Sequence, residues 1–139
     1  MILADTGFWL ALANRGDRHH AAAKEALGRL DAPLITTWPV MTETCHLLLS
    51  HLGTAAQTAF MRSFQGGAFE AFSLRESDAG RIVALMESYA DLPMDLADAS
   101  LVVLAEHLGH GRILSTDRRD FHTDRWKAHA PFENLLLSD

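Results

Sequence analysis

Short apolar runs alternate along the chain with longer stretches in which apolar residues recur every three or four positions. The two periods separate strand-like from helix-like segments. Residues 1–4 are apolar and run straight into Asp-Thr-Gly, the pattern of a buried strand ending in a turn. Residues 8–13 suit the start of a helix, and 19–30 is an alanine-rich helix. Residues 34–37 form a second short strand, after which Pro39 fits the first turn of a helix reaching about residue 52. Residues 54–64 predict a helix stopped by Gly66 and Gly67, and 69–74 a third strand. Ile82, Val83, Leu85, Met86 and Tyr89 share a helical spacing over 77–90, and 95–108 is a helix stopped by Gly109. A fourth strand over 112–116 and a fifth over 132–136 complete the pattern. Strands alternating with helices predict an α/β sandwich with a parallel sheet of four to five strands, covered on both faces. In such folds ligands sit at the carboxyl ends of the strands.

The 139 residues fit one domain, with no repeat, low-complexity tract or linker inside them. An ordinary 48% of hydrophobic residues argues against disorder. No apolar run approaches the ~20 residues of a membrane span, and the first residues lack the basic start and long apolar core of a signal peptide. One cysteine, Cys45, leaves no internal disulfide, so the expected location is the cytoplasm. The net charge of −6 is unusual for a nucleic-acid binder. It is unevenly spread: Arg112, Arg118, Arg119, Arg125 and Lys127 crowd one short stretch, as a solvated surface or as a phosphate-contacting patch.

Most of the acids suit a solvated surface; five do not. Asp5 directly follows the first strand, either as the N-cap of the next helix or as a ligand-site acid. Glu43 lies in a strongly apolar helix that starts at a strand end. Asp95 and Asp98 stand three apart at the start of an apolar helix, on one face. Acids in a first turn also complement the helix dipole, worth ~0.3–1 kcal/mol each. Asp117 ends the fourth strand as Asp5 ends the first. Together Asp5, Glu43, Asp98 and Asp117 fall on one edge of a parallel sheet. Clustered carboxylates repel, and a bound hard cation removes that cost. Mg²⁺, or Mn²⁺, suits an oxygen-only set that leaves room for water and a phosphate. The eight histidines and one cysteine show no zinc spacing.

Four segments carry a resemblance: ILADTGFWLAL at 2–12, TET at 42–44, DASLVVLAE at 98–106 and ILSTDRRDF at 113–121. In this order and spacing the chain resembles the PIN-domain ribonucleases and, within them, the VapC-type toxins of bacterial toxin–antitoxin pairs. The resemblance spans nearly the whole length. It implies a three-layer α/β/α sandwich and a single PIN domain over 1–139. It also implies a Mg²⁺ or Mn²⁺ site on Asp5, Glu43, Asp98 and Asp117, with Asp95 as a supporting acid or second-metal ligand. Thr6 and Thr116 are placed to orient an acid or touch a phosphate, and Arg118 and Arg119 to contact flanking phosphates. The implied activity is hydrolysis of RNA phosphodiester bonds, with a small antitoxin as partner and possible homodimerisation. Trp9, Trp38, Leu12 and residues 46–52 are candidate anchors for that partner, or core.

Three other readings stay open. An RNA-processing PIN nuclease without an antitoxin would carry the same residues. A non-catalytic PIN-like module would bind without cutting. An aspartyl phosphatase would use Asp5 as nucleophile, although the residue two positions on is Gly7 where such enzymes want a second Asp.

Overall fold

The computed structural model describes residues 1–88, 93–117, 125–127 and 130–137, with backbone only at 125–127, 130 and 131. The chain runs β1 (Ile2–Ala4), α1 (Thr6–Ala13), α2 (His20–Arg29), β2 (Leu34–Thr37), α3 (Trp38–Leu52), α4 (Thr54–Gln65) and β3 (Glu70–Phe72). A short 3-10 turn, Glu76–Asp78, leads into α5 (Ala79–Ser88). Then come α6 (Leu96–Leu108), β4 (Arg112–Leu114), β5 (Arg125–Lys127), β6 (Ala130–Pro131) and β7 (Glu133–Asn134).

Five strands make one sheet in the order β3-β2-β1-β4-β7. Every pairing in it is parallel, with Leu3 opposite both Ile35 and Ile113. The chain steps outward from β1 through β2 to β3, then returns to lay β4 on the other side of β1. The strand order therefore reverses between β1 and β4, the place where an open α/β sheet leaves a crevice at its carboxyl edge. β5 and β6 form a separate antiparallel ribbon that the hydrophobic pattern did not announce.

Burial explains why these segments are short and apolar. β1, β2 and the end of β4 are buried along their length, as strands covered on both faces must be. The middle of α6, Ala99–Ala105, is buried on every side for the same reason. Its Leu101, Leu104 and Ala105 join the main core, while Ala99, Val102 and Val103 meet Leu85 and Met94 in a second cluster. Arg81 of α5 pairs with Glu106 of α6 at 2.7 Å across that side. The expected elements are present with shifted ends, and residues 89 and 90 of the helix expected over 77–90 lie outside the described residues. The third strand closes at Phe72, the fourth at Leu114, and the fifth keeps only two residues. The expected helix over 77–90 begins as the 3-10 turn, because the Asp78 carboxylate accepts the Arg75 amide at 2.8 Å and holds a tighter first turn. Among the described residues no helix is long and apolar enough to cross a membrane.

Candidate active site

Four acids from four different elements line one cavity of about 240 Å³ at the carboxyl edge of the sheet. Asp5 follows β1, Glu43 projects from the second turn of α3, Asp98 from the first turn of α6, and Asp117 lies three residues past β4. Thr6, Gly7, Ser115 and Thr116 complete the polar lining, and Val40, Leu101, Val102, Ile113 and Phe132 the apolar wall. The strands place these residues without slack. The Asp5 amide bonds to the Leu114 carbonyl at 3.2 Å, so β1 and β4 leave the sheet side by side. β2 passes into α3 with no loop between them, since Thr37, its last residue, caps α3 through the Val40 amide at 3.2 Å.

Asp5 has two engagements. Oδ1 accepts the Phe8 amide at 3.0 Å and caps α1. Oδ2 accepts a short hydrogen bond from the Ser115 hydroxyl. The cap and the site acid, alternatives when read from sequence, are one residue using both oxygens. Burial holds the Asp5 carboxyl well above the ordinary range, at about 6. The negative charges of Asp117 and Glu43 push the same way, while the Ser115 and Phe8 hydrogen bonds oppose the shift. A carboxylate so poised has a strong electrostatic preference for a positive neighbour.

Ser115 was missed by the sequence reading, which singled out Thr116 beside it. Ser115 is fully buried. Its hydroxyl also accepts the Asp117 amide at 3.0 Å, so one side chain ties the first acid to the backbone of the fourth. The available signal was a hydroxyl residue directly after a buried strand, two positions before an acid.

Asp95 and Asp98 divide their work. Asp95 is the N-cap of α6: its carboxylate accepts the Asp98 amide at 2.8 Å, and Asp98 Oδ2 accepts the Asp95 amide at 3.4 Å. This is a reciprocal capping box. Asp95 is exposed and absent from the cavity lining, whereas Asp98 is half-buried and part of it. Of the two aspartates only Asp98 lines the cavity, and Asp95 stands beside it as the cap that holds the Asp98 backbone. Thr6 and Thr116 also line the cavity. Gly7 gains a reason: a Cβ there would come 2.1 Å from the Thr116 hydroxyl. The aspartyl-phosphatase arrangement, with a second Asp at that position, has no room. Arg118 and Arg119 lie outside the described residues. Trp9 is core, edge-on to Phe8 and Phe60 and tilted against Phe69, and Leu12 packs against the same cluster. Trp38, Leu49 and Leu52 are more than 40% exposed on α3.

The donor set fits a hard divalent cation. All four candidate ligands are carboxylates, among the described residues no histidine or cysteine lines the cavity, and the buried Asp5 marks where positive charge is wanted. Among the described residues no three such groups close around one point. Mg²⁺ is commonly held by only one or two carboxylates, with water and substrate completing its shell.

A family model described as PIN domain matches residues 2–125. Ribonuclease VapC26 of Mycobacterium tuberculosis is 29% identical over 120 residues, spanning 86% of this chain and 89% of that protein. The 23S rRNA-specific endonuclease VapC20 of the same organism is 39% identical over 59 residues, 42% of this chain and 45% of its own. The crystal structure of that VapC20, described as a sarcin–ricin loop cleaving toxin, matches this fold with a TM-score of 0.80 at 22% identity. The match covers 86% of this chain and 92% of the other. At that identity the likeness bears on the fold alone.

Proposed function

The chain belongs to the PIN-domain family, and from that premise we propose that it is a metal-dependent endoribonuclease, the toxin of a toxin–antitoxin pair. The observation that carries the reading is the convergence of Asp5, Glu43, Asp98 and Asp117 on one cavity at the switch point of the sheet. The names of its relatives, a ribonuclease and an rRNA endonuclease, supply the substrate class.

In this reading Asp5 and Asp98, with Asp117 and Glu43 beside them, would hold the cation. When bound it would supply positive charge to the phosphodiester and lower the pKa of water toward neutral pH. Ser115 holds one Asp5 oxygen fixed and favours its ionised form, and the α1 cap holds the other. Thr6 and Thr116 line the cavity, and their hydroxyls are assigned to the substrate phosphate. Water attacks phosphorus in line with the 3′ oxygen, which leaves, so the products are a 5′-phosphate and a 3′-hydroxyl. Arg118 and Arg119 follow Asp117 in sequence and are assigned to flanking phosphates on that ground. No side-chain nucleophile is required, consistent with a cavity that no histidine or cysteine lines among the described residues.

A small antitoxin is the partner such a toxin requires, and the exposed Trp38, Leu49 and Leu52 of α3 are apolar positions open to it. Analysis of product ends tests the chemistry. A 5′-phosphate supports hydrolysis with a 3′ leaving group; a 2′,3′-cyclic phosphate would replace this mechanism with attack by the ribose.

A further inference from the structure

Asn134 stands in β7, in a segment (FENLLL) that carries none of the four candidate site acids. The main-chain ladder between β4 and β7 ends with the Leu135 amide on the Ile113 carbonyl at 2.8 Å. Beyond that point the Asn134 side chain takes over. Its Nδ2 donates to the Ser115 carbonyl at 3.1 Å, and its Oδ1 accepts the Ser115 amide at 3.3 Å. Oδ1 also accepts the amides of Leu136 at 3.0 Å and Leu137 at 3.4 Å, so the clamp is itself fixed by the turn after β7. Both main-chain groups of Ser115 are thus held by one half-buried side chain. The Ser115 hydroxyl in turn binds Asp5 and the Asp117 amide.

We infer that Asn134 is a positioning residue of the active site: by clamping the backbone of Ser115 beyond the end of the sheet, it aims the Ser115 hydroxyl at Asp5 and Asp117. The inference deepens the nuclease reading and rests on it for the catalytic consequence, but its geometric content stands apart from any activity. Leaving the clamp out removes both main-chain bonds of Ser115 to Asn134, so the hydroxyl that binds Asp5 and the Asp117 amide loses its aim. A surface asparagine that only finished a turn would affect Leu136 and Leu137 and leave Ser115 alone.

The test pairs kinetics with amide exchange on the full chain. In Asn134→Ala, kcat for RNA cleavage should fall about tenfold or more, as for outer supports of a metal site, with KM within about twofold. Adding Asn134→Ala to Ser115→Ala should cost little further, because the two act in series. Without RNA or metal, exchange of the Asp117 amide should quicken about tenfold while amides of β1 keep their protection. Should Asn134→Ala fold poorly, Asn134→Asp keeps the acceptor for Leu136 and Leu137 but loses the donor to Ser115, and it should give the same pattern. Unchanged kcat with unchanged Asp117 exchange, or losses that simply add in the double variant, would overturn the inference. If the wild-type protein cuts no RNA, the nuclease reading fails, and Asp117 exchange alone still decides for or against the clamp.

Discussion

Ser115 donates its hydroxyl proton to Asp5 across the boundary between β4 and β1, joining two residues 110 positions apart at the point where the sheet reverses its strand order. The bond settles what a buried acid beside two others can do. It favours the ionised form of Asp5 against burial and against Asp117 and Glu43, and it fixes one oxygen while the cap of α1 fixes the other.

The pH behaviour follows from that balance. Asp5 has an ordinary value of 3.8 and a folded value of about 6. Between them the folded, metal-free chain keeps a proton that the unfolded chain has lost. On this group's account stability therefore falls as pH rises through that window, by up to about 3 kcal/mol, and stays lower above it. On the proposed reading, Mg²⁺ takes the proton's place above the window. Thermal melts in EDTA should rise on acidification from pH 7 toward pH 5, and added Mg²⁺ should raise them most at pH 7 and above. The acid limb of the cleavage profile should lie near 6 at low Mg²⁺ and move to lower pH as Mg²⁺ increases.

Ser115→Ala removes the strongest opponent of the upward shift at Asp5. Cleavage should drop about 10–100-fold, the usual cost of losing an outer support, and the acid limb should move up in pH. Ser115→Thr, which keeps the hydroxyl, should recover most of the rate. Rates measured across pH for the three proteins check this.

Asp95 and Asp98 should separate cleanly. Asp95→Ser preserves a capping oxygen and should leave both melting temperature and cleavage near wild type. Asp95→Ala should cost about 1 kcal/mol of stability with little change in kcat once folded. Asp98→Asn should abolish cleavage with a small change in melting temperature. Parallel melts and cleavage assays of the three variants read the difference.

Gly7→Ala drives a methyl group against the Thr116 hydroxyl at 2.1 Å. The expected cost is about 1–3 kcal/mol with displacement of Thr116 and a matching loss of cleavage. Combining it with Thr116→Ala should return most of the lost stability, seen as a recovered melting temperature.

Much of this was legible in the sequence because the fold is written in burial. Strands covered on both faces must be apolar along their length, so β1, β2 and β4 stood out as short hydrophobic runs, and the acids just after them were conspicuous. The order of four motifs then placed the chain in its family. What escaped was set by tertiary geometry. Ser115 and Asn134 are common surface types in ordinary contexts, and only the pairing of β4 with β7 makes them partners. Asp95 and Asp98 share a spacing that suits a ligand pair and a capping box equally, and local backbone geometry chose the second for Asp95. The β5–β6 ribbon has too few residues to generate a period.

The most direct test is cleavage of a panel of structured RNAs, tRNAs and an rRNA stem-loop among them, by purified, partner-free protein in Mg²⁺, Mn²⁺ or EDTA, beside Asp5→Asn and Asp98→Asn. The account predicts discrete cuts that require the metal and vanish in both variants while their folds persist. Full cutting in EDTA, or in either variant, would contradict the carboxylate metal site on which the account rests.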